Sequence, residues 1–405
     1  MPQNFRNYLT ITGGYWAFTI TDGAIRMLVL LYFHQLGYSP LEIALLFLLY
    51  ELCGVITNLI GGWLGTNIGL NKTMHIGMMI QIGALLMLTV PDAWLSVPYV
   101  MMAQAFSGIA KDLNKMSAKA GVKLFLPDGD EAQLFKWVAV LTGSKNSLKG
   151  AGFFIGAALL TWLGFRGALY ALAGLLAFAL VLTWLYLPKE MGKAKSKTKF
   201  SRIFSNKPEI NWISAARFFL FGARDIWFVV ALPVFLQSVL QWSFNQTGAF
   251  LALWIIGYGL IQSIAPKLLR SMSANQVGAH TLIIWAAALL LSPALMISGL
   301  NMSWNPEFTI MAGLGLFGIL FAMNSATHSY LIVSWSDHDK VAMNVGFYYM
   351  ANAAGRLIGT VLSGLIYQQS GLEGCLYASG VFIFIAMLSS IKLHRITSTN
   401  ETAKI

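Results

Sequence analysis

Residues 168–187 read ALYALAGLLAFALVLTWLYL, an apolar run without a single charged side chain. At about 1.5 Å per residue, a helix of this length crosses the roughly 30 Å hydrocarbon core of a bilayer. A strand of a membrane barrel would instead alternate apolar and polar residues. Because only helices and closed barrels satisfy their backbone groups in lipid, the run predicts a membrane-spanning helix.

The composition extends this prediction to the whole chain. Its 405 residues are 57% hydrophobic and 11% charged, with a mean hydropathy of +0.65, whereas soluble domains carry about 25% charged residues. Apolar runs of spanning length lie near 10–36, 42–66, 73–91, 95–117, 134–162, 167–187, 210–238, 246–269, 277–299, 307–333, 341–368 and 373–393. We therefore predict an all-α polytopic membrane protein with twelve transmembrane helices.

Lysine and arginine are distributed unequally between the two sides of these spans. The loops on the opposite side hold only Arg166. The side shared by both termini holds Arg6, Lys72, the lysines of 115–136, the central connection, Lys267, Arg270, Lys340, Lys392, Arg395 and Lys404. The positive-inside rule therefore predicts that both termini and the central connection are cytoplasmic.

A basic connection divides the chain in two. It predicts an N-terminal six-helix bundle over 1–187, a cytoplasmic linker over 188–209, and a C-terminal six-helix bundle with a short tail over 210–405. FTITDGAIRMLVLLYFHQLGYS (18–39) and FLFGARDIWFVVALPVFLQSVLQWS (219–243) form a faint internal repeat. Each half of the repeat has an aspartate in mid-helix, Asp22 or Asp225, with an arginine close by.

This layout resembles the major facilitator superfamily, in which substrate sites lie near the midplane between the two halves. That superfamily has a Gly-x-Leu-Ala-Asp-Arg-x-Gly-Arg-Lys type of loop between spans 2 and 3. Here the loop reads GWLGTNIGLNK (62–72), and Thr66 and Asn67 replace the acid and the base. The resemblance implies the major facilitator fold, but the substitutions remove the usual charge pair from this loop.

Among the ionisable residues that we take as candidates inside the predicted spans, bases outnumber acids by eight to four. The bases are Arg26, Lys111, Lys115, Lys145, Lys149, Arg217, Arg224 and Arg356, and the acids are Asp22, Glu51, Asp112 and Asp225. Each charge near the bilayer centre costs about 2.5–3.5 kcal/mol on insertion scales, so it is expected to face a cavity or a partner. The surplus of positive charge predicts an anionic ligand.

The stretch GSKNSLKGAG (143–152) contains the two most unusual of these bases. Lys149 lies near the middle of span 5, and Lys145 and Asn146 lie one turn away on the same side. The predicted substrate-binding residues are Lys149, Lys145, Arg26, Arg224, Arg356, Asn146, Asn352 and Tyr348, with Lys111 as the first contact on the cytoplasmic side. Asp22, Asp225 and Glu51 are the candidates for carrying a coupling proton.

Structural interpretations of the same residues remain open at this stage. Lys145 and Lys149 pair with Asp22 or Asp225 in one alternative, and Asp22 pairs with Arg26 within its own helix in another. Adjacent helical residues face different directions, so Arg224 and Asp225 are not expected to pair, and Asp225 is expected to neutralise a base on another helix. The stripe Lys111, Lys115, Lys119 and Lys123 predicts snorkelling towards lipid headgroups from Lys115 onwards.

No motif predicts catalysis. HExxH, GxSxG and phosphate-loop patterns do not occur, and Cys53 and Cys375 suggest neither a disulfide nor a metal site. The basic residues have no soluble domain on which to bind nucleic acid. We therefore predict a transporter that is not an enzyme, without cofactor or metal, with lipid and a small anion as its partners. An intramembrane enzyme or a non-transporting receptor is the second hypothesis.

Four segments carry a closer resemblance: YWAFTITDGAIRMLVLLYFHQLGYSPL (15–41), GWLGTNIGLNKTM (62–74), SGIAKDLNKMSAKAGVKLFLPDG (107–129) and WVAVLTGSKNSLKGAGFFIG (137–156). They resemble the ArsJ-type organoarsenical efflux permeases. The resemblance implies export of 1-arseno-3-phosphoglycerate, which glyceraldehyde-3-phosphate dehydrogenase makes when arsenate replaces phosphate, and hence arsenate resistance. It also implies a bacterial inner-membrane protein that works by alternating access, with a monomer as the expected state. A general carrier of organophosphates or phosphoglycerates, or an anion exchanger, is the alternative.

Overall fold

A computed structural model describes residues 3–37, 46–124, 131–188, 191–193, 207–242, 244–272, 277–337 and 340–402. Most of the predicted linker 188–209 and the start of the second predicted span lie outside these ranges. Within them the chain is helical, with short connections and no β-strand.

Eleven helices can be labelled along the described residues. They are α1 (Gln3–Gln35), α2 (Leu48–Ile68), α3 (Leu70–Met87), α4 (Val97–Leu124), α5 (Glu131–Tyr186), α6 (Pro208–Phe228), α7 (Ala231–Ser238), α8 (Phe244–Met272), α9 (Ala279–Asn301), α10 (Pro306–Ser334) and α11 (Val341–Thr402). Gly164 (φ 67°) and Gly371 (φ 61°) interrupt α5 and α11, so that each is two helices joined at a left-handed glycine. With α7 continuing α6, the helices coincide with the twelve predicted spans.

Seven of the described helices are long and apolar enough to cross a membrane, counting α5 and α11 once each. The helices α3, α4 and α6 and the eight-residue helix α7 fall short of this measure. Charged residues lower the hydropathy of α4 and α6, since α4 carries Asp112 and several lysines and α6 carries Arg217, Arg224 and Asp225. Burial of these side chains is what allows such helices to lie in a membrane protein.

The chain divides into two compact units. Unit 1 consists of Met1–Trp137, Ser144–Ser205 and Ser336–Met350, and unit 2 consists of Val138–Gly143, Asn206–Trp335 and Ala351–Ile405. Each has its own apolar core. The core of unit 1 is mainly aliphatic, with Leu28, Leu85 and Leu172 among its members. The core of unit 2 is rich in aromatic rings, including Trp227 and Phe317, whose ring centroids are 4.8 Å apart.

Glycines allow α1 and α5 to approach each other closely in unit 1. A Cβ atom on Gly152 would lie 2.7 Å from the carbonyl oxygen of Ile20 and 3.1 Å from the Cα atom of Gly23. Real side chains do not tolerate such distances, and the atoms in the way belong to the backbone. The small residues therefore fix how α5 packs on α1, as is common between membrane helices.

We expect Gly152→Val to separate these two helices and to destabilise the protein by about 1–3 kcal/mol, the usual cost of overpacking. Gly174→Val is the matched control, because a Cβ atom on Gly174, in the part of α5 after Gly164, meets open space. The measurement is the melting temperature and the monodisperse yield after detergent extraction. Equal melting temperatures for the two variants would contradict this account of the packing.

The same kind of seam joins α6 to α11 in unit 2. A Cβ atom on Gly359 would lie 2.6 Å from the carbonyl oxygen of Gly222, and one on Gly355 would lie 2.1 Å from that of Phe218. Gly152 comes three residues after Lys149, and Gly359 comes three residues after Arg356. The internal repeat noted in the sequence therefore extends to the packing of α1 on α5 and of α6 on α11.

Candidate functional site

Charged side chains from four helices of unit 1 meet around one tyrosine. We call this group the Tyr50 cluster, and it consists of Asp22, Arg26, Tyr50, Glu51, Lys111 and Lys149. The helix α1 supplies Asp22 and Arg26, α2 supplies Tyr50 and Glu51, and α4 and α5 each supply one lysine. The close α1–α5 packing is what places Lys149 beside α1.

Asp22 is the partner of Lys149. The ammonium Nζ of Lys149 lies 3.2 Å from Oδ2 of Asp22, and the hydroxyl of Tyr50 donates a hydrogen bond to Oδ1. The Asp22 side chain is almost fully buried, whereas that of Lys149 is 22% exposed. The structure thus shows the pairing of Lys149 with Asp22 that the sequence left as an alternative.

Glu51 holds the other two bases of the cluster. Nη2 of Arg26 lies 2.7 Å from Oε1 of Glu51, and Nζ of Lys111 lies 3.8 Å from Oε2. The alternative of a pair between Asp22 and Arg26 within α1 is therefore wrong. Each of those side chains instead contacts a neighbouring helix, Asp22 reaching α5 and Arg26 reaching α2.

Tyr50 is a residue that the sequence analysis missed. Its ring centroid lies 3.8 Å from Nζ of Lys111, 4.4 Å from Cζ of Arg26 and 6.0 Å from Nζ of Lys149. Cations over the face of an aromatic ring are attracted by its quadrupole, more strongly when they are shielded from water. One buried ring and its hydroxyl thus help to position three bases and one acid. The only sequence signal was its place beside Glu51 in an apolar helix.

Two lysines of the basic stripe on α4 are buried, which contradicts the snorkelling that was predicted for them. Lys115 and Lys119 are only 7% and 2% exposed. Nζ of Lys115 lies 2.5 Å from Oδ1 of Asp112 and 4.5 Å from the ring centroid of Tyr349, and the ammonium of Lys119 contacts the hydroxyl of Tyr349. The prediction failed because Lys115 pairs with Asp112, and both Lys115 and Lys119 contact Tyr349.

Unit 2 holds a second set of buried charges around Asp225. Arg224 contacts Oδ1 of Asp225 through Nε and Nη2, each at 2.6 Å, and Nε of Arg356 lies 2.9 Å from Oδ2. The expectation that Arg224 and Asp225 would not pair is wrong, because the long arginine side chain bends back to its neighbour. The expectation that Asp225 meets a base on another helix is confirmed by Arg356.

Arg217 lies two turns before Arg224 on α6, and its guanidinium group binds neutral oxygens. Its Nε donates to Oδ1 of Asn352 at 3.0 Å, and its Nη1 donates to Oγ of Ser325 at 2.9 Å. Gln262 donates to the same Ser325 oxygen at 3.0 Å. Asn352 is thus a partner of a buried arginine, and the sequence analysis named neither Arg217 as a ligand nor Gln262 at all.

The structure therefore distributes the predicted residues as follows. The Tyr50 cluster contains Arg26, Lys111, Lys149, Asp22 and Glu51, and the unit 2 set contains Arg224, Arg356, Asp225 and Asn352. Lys145 and Asn146 are partly exposed on α5, one turn before Lys149, and Tyr348 is buried in unit 1 with its ring centroid 5.0 Å from that of Tyr349. Among the residues that the structure describes, no group of three His, Cys, Asp or Glu side chains is placed to hold a metal ion.

Comparison with known proteins shows the family. The family model described as Major Facilitator Superfamily matches residues 11–300 and 214–404. A curated relative, the "uncharacterized transporter YebQ" of Escherichia coli (strain K12), is 29% identical over 164 residues, which are 39% of this chain and 34% of the relative. The chain therefore matches about a third of the length of that relative.

Solved structures match over almost the entire chain. The human organic anion transporter MFSD10 (TETRAN) has a TM-score of 0.76 at 16% identity, covering 96% of this chain and 100% of that one. A bacterial homologue of the iron transporter ferroportin, in an outward-facing state, has a TM-score of 0.76 at 13% identity, covering 98% and 100%. The chain belongs to the major facilitator superfamily, and it is a multi-pass secondary transporter of twelve helices in two six-helix bundles, not an enzyme.

Proposed function

We propose that this transporter exports a small organic anion, 1-arseno-3-phosphoglycerate, by alternating access, and thereby confers arsenate resistance. The observation that carries the proposal is the Tyr50 cluster. Arg26, Lys111 and Lys149 lie within 6.0 Å of one tyrosine ring and contact the carboxylates of Asp22 and Glu51. Lys111 also lies 3.8 Å from Asp112, which binds Lys115 at 2.5 Å, so that four bases meet three acids. An anionic ligand would balance the positive charge that remains.

The types of base favour oxyanions. Arginine binds phosphate, arsenate or carboxylate with two parallel hydrogen bonds, and lysine acts as a mobile point charge. A hydrophobic cation would instead require an aromatic cavity with an acid, and a sugar would require amides and aromatic rings without surplus positive charge. The proposed substrate carries a phosphate, an acyl arsenate and a hydroxyl group, so it is strongly anionic.

The segments that resemble the organoarsenical permeases also supply the bases of the Tyr50 cluster and the lysines of the α4 stripe. SGIAKDLNKMSAKAGVKLFLPDG contains Lys111, Lys115 and Lys119, and WVAVLTGSKNSLKGAGFFIG contains Lys145 and Lys149. The solved structures bear on the fold alone at 13–16% identity. The choice of an arsenylated substrate rests on this sequence resemblance together with the charge of the cluster.

The proposed roles rest on the charge and the hydrogen-bonding capacity of these side chains. Lys149, Lys145, Arg26, Arg224 and Arg356 attract and hold the phosphate and arsenate groups, and Lys111 is the first contact on the cytoplasmic side. Asn146, Asn352 and Tyr348 donate or accept hydrogen bonds. Asp22, Glu51 and Asp225 are the carboxylates available for a coupling proton. The protein acts as a monomer in the bacterial inner membrane with both termini cytoplasmic, downstream of glyceraldehyde-3-phosphate dehydrogenase.

Everted membrane vesicles containing the protein provide the test. They are supplied with labelled arsenate, glyceraldehyde 3-phosphate, NAD and the dehydrogenase, and each component is omitted in turn. We expect label to accumulate only when every component is present. Equal uptake of labelled 3-phosphoglycerate without arsenate would replace the proposal with a general organophosphate carrier, and no uptake of either into intact vesicles would refute an anion carrier.

A further inference from the structure

The Asp22 carboxylate is held by the groups that would hold an oxyanion. Its Oδ2 lies 3.2 Å from the ammonium of Lys149, and its Oδ1 accepts the hydroxyl hydrogen of Tyr50. An ammonium and a hydroxyl that converge on one carboxylate are donors of the kind that bind phosphate, arsenate and carboxylate oxygens. Asp22 is only 2% exposed, so this position is shielded from water.

Asp225, its counterpart in the internal repeat, is held differently. Both of its oxygens contact guanidinium groups, at 2.6 Å from Arg224 and 2.9 Å from Arg356. Guanidinium groups are planar and rigid, whereas an ammonium sits on a flexible stem of four carbons. The contact of Asp22 with one lysine at 3.2 Å is therefore the more easily exchanged of the two.

We propose that Asp22 is an internal substitute for an anionic group of the substrate. Its carboxylate holds Lys149 and Tyr50 when no substrate is bound, and an oxyanion of the substrate displaces it. The inference rests on the proposed function, since it requires an anionic substrate. It assigns Asp22 to competition with the substrate, so that the affinity of the transporter is set partly by how firmly Lys149 is held.

Binding to the purified protein tests this inference separately from transport. The melting temperature is measured against the concentration of 3-phosphoglycerate, and separately of arsenate, at constant ionic strength. Asp22→Asn keeps the shape of the side chain and removes the competing charge, so we expect its apparent Kd to fall about tenfold, as it does when a competing state is removed. Asp22→Ser is the second variant in case the asparagine disturbs folding.

Two controls separate displacement from a general change in charge. Glu51→Gln removes the same charge from the same cluster, but Glu51 contacts Arg26 and Lys111 rather than Lys149. We therefore expect a clearly smaller fall in Kd for Glu51→Gln. Asp92→Asn removes an exposed acid whose partner is Arg166 at 3.3 Å, and it should leave the Kd unchanged.

Each outcome decides the inference. A Kd for Asp22→Asn and Asp22→Ser that equals or exceeds that of the unmodified protein would overturn displacement and leave the anion carrier standing. A fall in Kd for Glu51→Gln as large as that for Asp22→Asn would also overturn displacement. The loss of one negative charge from the cluster, whichever residue carries it, would then explain the effect. If neither probe raises the melting temperature of any variant, no oxyanion displaces Asp22 and the inference fails, whereas the proposed function is decided by the vesicle assay.

Discussion

Lys149→Gln is expected to abolish transport while leaving the protein inserted in the membrane. Lys149 contacts Asp22 at 3.2 Å and supplies one of the three bases around Tyr50. In the proposed function Lys149 pairs with an oxyanion of the substrate. Removing one member of a buried, hydrogen-bonded charge pair costs about 2–5 kcal/mol, which corresponds to at least a roughly 30-fold loss of affinity for the substrate. Insertion should be preserved, because glutamine in mid-span is less costly than an ammonium.

The measurement is the initial rate of uptake into everted vesicles, normalised to the amount of protein in the membrane. Lys136→Gln is the matched control, because Lys136 lies on the same helix, is exposed, and has its ammonium 4.8 Å from the ring centroid of Trp137. That variant should transport normally. An inserted Lys149→Gln that transports at the normal rate would remove this lysine from the site.

The spans could be predicted from the sequence because lipid imposes a simple rule on them. Runs of about 20 apolar residues must be helices, and glycine marks breaks such as Gly164 and Gly371, where the backbone has positive φ. The charged residues inside the spans were equally evident, because inserting a charge into lipid is unfavourable and such residues are therefore rare in membrane-spanning helices. The sequence therefore indicated the fold and the charged residues from which the candidate site is built.

The pairing of those charges could not be predicted, because it depends on which helices touch. Spacing along one helix offered Arg26 as a partner for Asp22, but the glycine contact between Gly23 and Gly152 brings α5 close enough for Lys149 to take that place. A long arginine side chain can also bend back to the adjacent residue, as Arg224 does to Asp225, although the two leave the helix in different directions. Tyr50 carried no signal beyond its place beside Glu51, since an isolated tyrosine in an apolar helix is most often part of a core.

Asp225→Asn is expected to reduce the stability of the protein strongly. Asp225 is fully buried and contacts both Arg224 and Arg356, so the substitution removes a negative charge that two guanidinium groups share. Breaking a buried ion pair from one side typically costs about 3–5 kcal/mol, because the remaining charge keeps its desolvation penalty. The effect should appear as a lower melting temperature and a lower yield of monodisperse protein, with or without substrate.

An exposed pair supplies the control for this expectation. Asp92 and Arg166 lie 3.3 Å apart with side chains 53% and 49% exposed, and exposed pairs contribute about 0–1 kcal/mol, so Asp92→Asn should melt like the unmodified protein. Adding Arg356→Gln to Asp225→Asn should recover part of the loss, since the double variant removes one of the two charges that shared the carboxylate. If Asp225→Asn melts normally, or if the second substitution lowers the melting temperature further, Asp225 is not what neutralises Arg224 and Arg356. Other groups must then compensate the charges of these two arginines.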